Sequence, residues 1–422
     1  MTADERFIQR GEPRRRGPRG PVSEVVDGPV SDWATDFSHV DPAWTADPYP
    51  ITDDLRQRCP VAHTDRFGGA WLPTRYEDVA AVAYDTERFT SRGVVVTNFR
   101  PSADQAPAGI NPPITSDPPF HREARKLLLP PFTKKAITRY EEPTRAFCHS
   151  LIDGFDGRET VDAADEYAQH IPIRVIADML GLPPGDAPRF AGFVHDTAEV
   201  VNLPPDERLA KTRRVGDYLR EQVRDHLENP RDDLTTYLIN AELHGEKLSA
   251  RHVVGAMSLL LIAGIDTTWN TIGASLWHLA THPSDRARLA ADPSLIPAAV
   301  EEFLRAYTPV TMARLVREDT HWRGADLKRD DWVLLSFPAA NRDPEQFDRA
   351  DEVIIDRAVN RHAAFGLGIH RCLGSHLARM EVRVALETWL ERIGSFRLDE
   401  PARVSWSSGQ IRGPRALPLL LG

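Results

Sequence analysis

Apolar residues recur with helical spacing over long stretches of this chain, and with strand-like alternation over only a few short ones. From His121 to about Pro297 the pattern is mainly helical, interrupted at "LGLPPGDAP" (180–188) and near "VNLPPDE" (201–207). Ahead of it, turn-rich and strand-like pieces such as "GGAWLPT" (68–74) mix with the helical "RYEDVAAVAYD" (75–85), and residues 100–119 form a proline-rich loop without periodicity. Behind it come short β-branched runs such as "DWVLLSF" (331–337), a glycine-rich stretch, and a helix over "LARMEVRVALETWLERIG" (377–394). The pattern predicts a mainly α fold with small β-sheets.

One helix stands out. Ser249 reads as its N-cap and His282-Pro283 as its stop, giving roughly 33 residues and about 50 Å. Its middle is apolar nearly all round, which places it at the centre of a core. The apolar run "VVGAMSLLLIAGI" (253–265) ends at Asp266, well short of the roughly 20 residues a membrane span needs. The expectation is a soluble protein.

Length alone, 422 residues, suggests about three domains. No repeat and no long low-complexity linker divides the chain, so one domain over 28–422 is expected instead. Residues 1–27 carry arginines at 6, 10, 14, 15, 16 and 19 among glycines and prolines, and predict a solvated arm or an electrostatic tether. They lack the apolar centre of a signal peptide. The formal charge of −10 speaks against a nucleic-acid partner. Three cysteines, Cys59, Cys148 and Cys372, suggest a reducing cytoplasm and no disulfide framework.

Three constellations carry chemistry. The first is "FGLGIHRCLG" (365–374), with Cys372 among Gly366, Gly368 and Gly374 just before a helix. A buried structural cysteine is the plainest reading. A nucleophile would want a positioned imidazole, and His370 is near in sequence only. Iron–sulfur clusters usually take four cysteines, and zinc sites want Cys/His pairs at short spacing, while no C-x-x-C occurs here. A single thiolate on a large flat cofactor remains. The glycines allow close backbone approach, and the helix start offers N–H groups and a positive dipole end to a sulfur anion. Haem iron with one axial thiolate satisfies these conditions.

The second is "AGIDTT" (263–268), in the middle of the long helix. Glycine and threonines are poor interior helix residues, and a buried unpaired carboxylate is expensive. One reading is a kink with threonines bonding back to the preceding turn. The other is a polar notch beside a ligand, where Thr267 holds a hydrogen bond and Asp266 relays protons, as controlled protonation of dioxygen requires. The third is "EEFLR", with Glu302 and Arg305 three apart, a spacing common on exposed helices.

In this order the three motifs resemble the cytochrome P450 family, the haem-thiolate monooxygenases. Ala263, Gly264, Asp266, Thr267, Thr268, Glu302, Arg305, Phe365, Gly368, His370, Cys372 and Gly374 carry the resemblance, with bacterial phrases such as "AANRDPEQF" (339–347). It implies the P450 fold, with haem b between the long helix and the cysteine loop, and Cys372 as its iron ligand. Phe365 would shield the sulfur, Gly366, Gly374 and Ala263 would flank the ring, and His121, Arg125, Arg314 and His370 would clamp the propionates. Asp266 and Thr267 would deliver protons. Glu302 and Arg305 would form a structural pair, with Arg349 or Arg357 as third partner because Glu352 stands where an arginine is usual.

The resemblance further implies insertion of one oxygen atom from O2 into a small, largely hydrophobic substrate: an aromatic, alkyl-aryl ether or terpenoid. Substrate would contact 94–114 with Asn98 and Arg100, Leu260, Ala263, Val310, Met312, and 408–411 with Gln410. Electrons would come from a ferredoxin and its NAD(P)H-dependent reductase, since neither a GxGxxG loop nor a four-cysteine module occurs. The opening and the "GQIRGPR" tail look like haem domains of reductase-fused bacterial members. A monomer without membrane attachment is expected. A peroxide-driven peroxygenase and a non-catalytic haem sensor are the alternatives.

Overall fold

The computed structural model describes residues 28–198, 205–407 and 409–422; the predicted arm, part of the 201–207 break, and Ser408 lie outside them. The principal helices are α1 (Tyr76–Tyr84), α2 (Phe120–Leu128), α3 (Glu141–Asp153), α4 (His170–Leu180), α5 (Pro205–Glu228), α6 (Ala250–Thr281), α7 (Ile296–Ala306) and α8 (Ser375–Arg392). The strands that matter for the site are β1 (Val61–Thr64), β2 (Ala70–Pro73), β3 (Phe89–Thr90), β4 (Thr311–Val316), β5 (Trp332–Ser336), β6 (Ser405–Trp406) and β7 (Pro414–Ala416). The protein is mainly helical with small sheets, as its pattern predicts.

Helix α6 is the long one. Ser249 Oγ accepts from the His252 N–H at 3.2 Å, and His282 closes the other end. Val253, Met257, Leu261 and Ile265, four apart, and then Ile272, Leu276 and Leu279, show no exposed surface. Burying each contributes roughly 1.5–3 kcal/mol before ordering costs. By length and composition α6 could cross a membrane. It is instead wrapped by α4, α5 and α8, so its apolar circumference is used within the fold.

The five-stranded sheet runs β1-β2-β5-β4-β3, with β2 and β5 parallel and the other pairs antiparallel. Strand β5 is buried at every position because both faces are covered. Trp332 and Leu334 pack with Phe37, Leu55 and Leu72, while Val333 and Leu335 pack with Val79, Phe89 and Phe337. A further break, unpredicted, lies in the helical half: Glu242–Leu243 pairs with Glu246–Lys247 around His244-Gly245, both at positive φ, the geometry of a two-residue hairpin turn.

Candidate active site

The loop before α8 closes on itself. The Cys372 N–H donates to Phe365 O at 2.6 Å, and the Arg371 N–H to Gly368 O at 3.2 Å. Gly368 has φ +68°, and a Cβ there would lie 2.3 Å from Ala83 O at the end of α1. Only glycine fits, so Gly368→Ala is expected to destabilise the protein by about 2–4 kcal/mol, from left-handed strain plus overpacking. Urea denaturation of the purified variant checks this. Parental stability would mean that the loop is free to move off α1.

Loop closure leaves Cys372 facing an interior cavity, also lined by Phe365, Gly366, His370 and Gly374. The surface Cys372 exposes belongs to this cavity, deep within the protein. Burial pushes its thiol up, while the Gly374 N–H and the guanidinium groups of Arg125, Arg371 and Arg379 pull it down. The Phe365 ring is pinned by Arg379, 4.3 Å from its centroid, and Arg379 is held in turn by Glu301 at 2.6 Å.

Across the cavity stands α6, which contributes Leu260, Ala263, Gly264 and Thr267. Val310 and Met312 line it beside and on β4, together with Arg314. Arg125 of α2 reaches in as well, and His121, one turn earlier, packs edge-on against His370 with centroids 4.3 Å apart. His370 Nε2 meets Ser91 Oγ at 2.8 Å, whereas His121 Nε2 is buried without a partner. Arg314 donates to Ala313 O at 2.8 Å and Arg125 to Arg371 O at 2.5 Å. No carboxylate lies within ion-pair distance of either guanidinium among the described residues. Burial brings Arg314 down to about 10 and His121 to about 4. Guanidinium groups kept from water without anions are costly, whereas His121 is neutral there. The set suits a flat ligand that brings its own carboxylates, beside a thiolate suited to a single metal ion.

The AGIDTT segment differs from expectation at Asp266. Helix α6 is continuous through the segment. Gly264 serves packing: a Cβ there would come 2.5 Å from Ile176 Cδ1 of α4. Thr267 bonds back to Ala263 O at 2.9 Å and lines the cavity. Asp266 does not line it. Its side chain is fully buried on another side of the helix, where Oδ1 accepts from Arg415 Nη1 of β7 at 2.7 Å and from Asn270 Nδ2 at 2.8 Å. Asp266 Oδ2 is buried without a partner.

Behind the site, Glu302 and Arg305 of α7 are both fully buried and bonded twice, at 2.8 and 2.9 Å. The third member is Arg357, whose Nε reaches Glu302 Oε2 at 3.0 Å. Arg349 pairs with Glu352 near the surface instead. Two expected substrate contacts also fall elsewhere. Asn98 and Gln410 are not among the cavity-lining residues. Gln410 touches the back of Met312 and Val94 O, and neighbouring Arg100 is spent on the carbonyls of Thr97, Gly68 and Asp330. Residues that sequence reasoning missed, Ile176, Leu304, Phe337 and Leu377, line the cavity from four elements remote in sequence. Arg415 was missed too, although a buried Asp266 demanded a partner.

Comparison with known proteins is consistent with this architecture. The cytochrome P450 family profile matches residues 206–404. The mycinamicin IV hydroxylase/epoxidase of Micromonospora griseorubida is 35% identical over 83% of this chain and 89% of its own length. The vitamin D(3) 25-hydroxylase of Pseudonocardia autotrophica is 34% identical over 89% and 94%. The solved cytochrome P450 PksS of Bacillus subtilis 168 superposes with a TM-score of 0.83 at 29% identity, covering 92% of this chain and all of that one. The chain therefore belongs to the cytochrome P450 family of haem-using monooxygenases.

Proposed function

We propose that this chain binds haem b and inserts one oxygen atom from O2 into a neutral, largely hydrophobic substrate. The observation that carries the reading is a single cavity with Cys372 on one side, the apolar wall of α6 on the other, and unpaired cations at one end. Cys372 would hold the iron; Arg125, Arg314, His121 and His370 would hold the propionates; Gly366, Gly374, Phe365 and Ala263 would border the ring. When bound, the haem supplies oxygen activation and oxidising power. The protein supplies orientation, water exclusion and proton control.

Thr267 is the polar side chain best placed for the last task. Its hydroxyl proton goes to Ala263 O, which leaves its lone pairs to accept from water in the cavity. Asp266, whose side chain lies outside the cavity, would pass protons to it only through ordered water. Thr267→Ala is expected to raise peroxide release severalfold relative to product, measured as peroxide formed per NAD(P)H consumed. Unchanged coupling would remove Thr267 from proton control.

Leu260, Ala263, Val310 and Met312 give the substrate side an apolar wall, which supports a small aromatic, alkyl-aryl ether or terpenoid. A second reading, a bulkier neutral substrate, is favoured by the relatives named for mycinamicin IV and vitamin D3. Screening both kinds of compound by the spin-state shift of the haem spectrum separates them. We further propose a ferredoxin and its NAD(P)H-dependent reductase as electron donors. Turnover with such a pair supports the monooxygenase reading. Equal turnover with peroxide alone would favour a peroxygenase, and none with either a haem sensor.

A further inference from the structure

A second cleft, of about 520 Å³, opens where the ends of α6 and α7 and strand β6 meet Tyr49. It shares no lining residue with the cavity that Cys372 faces. Much of its wall is aromatic. Trp277 meets Trp406 and Tyr307 edge-on, with centroids 5.5 and 5.7 Å apart. The Tyr49 hydroxyl donates to Ala306 O at 2.9 Å, which fixes its ring. Rigid π surfaces around a concave space suit a flat guest.

Two guanidinium groups enter the same space. Arg342 lies over the Tyr49 ring at 3.7 Å, and Arg412 stands 5.7 Å from that ring and 4.2 Å from the Trp406 ring. Arg412 donates to Thr45 O and Ala46 O at 3.2 and 2.9 Å. Arg342 donates twice to Ala306 O, at 3.3 and 3.1 Å, and once to Asp351 O at 3.3 Å. Every one of these acceptors is a neutral backbone carbonyl. Of five N–H groups each, Arg412 commits two and Arg342 three, and neither has a carboxylate within ion-pair distance among the described residues. Burial lowers the Arg412 guanidinium and the nearby Arg342 charge lowers it further, against the pull of Tyr49 and Asp47. Two like charges facing one cleft, with N–H groups uncommitted, are relieved by an anion held between them.

The other polar groups narrow the class of anion. Asp47, Asp351 and Glu352 are exposed on the rim; Asp47 accepts from the Tyr49 N–H at 3.1 Å and Glu352 holds Arg349 at 3.3 Å. A rim of carboxylates tolerates one negative charge below it and repels a polyanion. A metal ion finds no imidazole pair here. His278 has both ring nitrogens engaged, by Tyr307 at 2.7 Å and Asp285 at 2.9 Å, and no cluster of three metal-ligating side chains occurs among the described residues. We propose that this cleft is a second binding site, for a small aromatic monocarboxylate whose carboxylate bridges Arg342 and Arg412 and whose ring lies against Trp277 and Tyr307. The site is independent of the chemistry at Cys372.

The test is equilibrium dialysis of radiolabelled naphthoate against the full chain loaded with haem b. The haem cavity is filled beforehand with phenylimidazole, whose ligation to iron is followed in the Soret band. The parent should bind a single equivalent without change in that band. Arg342→Gln and Arg412→Gln should each weaken binding by about tenfold, the worth of one charge-assisted hydrogen bond. Ala46→Trp, which adds bulk at an exposed position on the cleft and leaves both guanidinium groups, should abolish it. Should a glutamine variant fail to accumulate, Ala46→Trp decides alone. Unlabelled naphthoate should displace the label, whereas naphthalenemethanol, decanoate and inorganic phosphate should not. No bound equivalent in the parent, parental binding in Ala46→Trp or in both glutamine variants, or displacement by neutral naphthalenemethanol would overturn the site. Displacement by decanoate or by phosphate at the same concentration would overturn its assignment to aromatic carboxylates.

Discussion

Cys372→Ser is expected to cut monooxygenase turnover by roughly a thousandfold, about 4 kcal/mol of transition-state stabilisation. It should also move the Soret band of reduced, carbon monoxide-treated protein to a position typical of non-thiolate ligation. Burial raises the thiol in this loop overall, but the Gly374 N–H and three guanidinium groups face the sulfur and would favour its thiolate once an iron ion is bound. A serine hydroxyl, far less acidic, stays protonated there and donates little electron density. The other cysteines offer no substitute. Cys148 lies in the core on α3, where burial pushes its thiol up to about 12, and the Cys59 thiol is directed at Val61 O. Neither lines the cavity. A thiolate-type band surviving in Cys372→Ser would remove this residue as the ligand and the proposed function with it.

The largest loss of stability is expected at Glu302. Glu302→Ala should cost about 3–5 kcal/mol, seen as a lower urea midpoint and poor recovery of soluble protein. Glu302 accepts from Arg305, Arg357, Asn360 and the Ile354 N–H, so its removal strands two buried guanidinium groups at once. Arg305 in turn binds the carbonyls of Asn341, Ala350 and Glu352. These five contacts need a planar fork, and Arg305→Lys should therefore recover little. Burial raises the Glu302 carboxyl, but the hydrogen bonds from Arg305 and Arg357 outweigh it and hold it below the usual range. A depressed carboxyl stabilises the fold at neutral pH and loses that contribution as pH falls through its folded value. The Glu302→Ala deficit should accordingly shrink in acid. Parental stability at pH 7 would show that the cluster is dispensable.

Features set by local spacing were legible in the sequence. Helix α6 was marked by its cap and stop, and the cysteine loop by glycines placed around Cys372, although the close approach of Gly368 to Ala83 is non-local. His121 and Arg125 share one side of α2 because they are four apart. What the sequence hid is non-local or directional. Consecutive residues on a helix point about 100° apart, so Asp266 and Thr267, adjacent in the chain, face different surroundings. The choice between Arg357 and Arg349 depends on how the segment after Phe347 folds back on α7. Partnership of Asp266 with Arg415 spans most of a domain's packing, and no periodicity announces it. The family resemblance suggests Asn98 and Arg100 as polar substrate anchors, but loop and turn carbonyls of Thr97, Gly68 and Asp330 hold Arg100.

Leu260, Ala263 and Thr267 look into the cavity from α6, while Asp266 and Asn270 look toward the C-terminal strand. One rod thus carries two trades on separate sides. A descendant can be retargeted by trimming or enlarging Leu260 and Ala263, changing which carbon of a guest lies nearest the oxidant, while Thr267 stays in place. The charge pair on the reverse side has no stake in that exchange. Divergence of guests within one inherited scaffold follows from this division of surfaces.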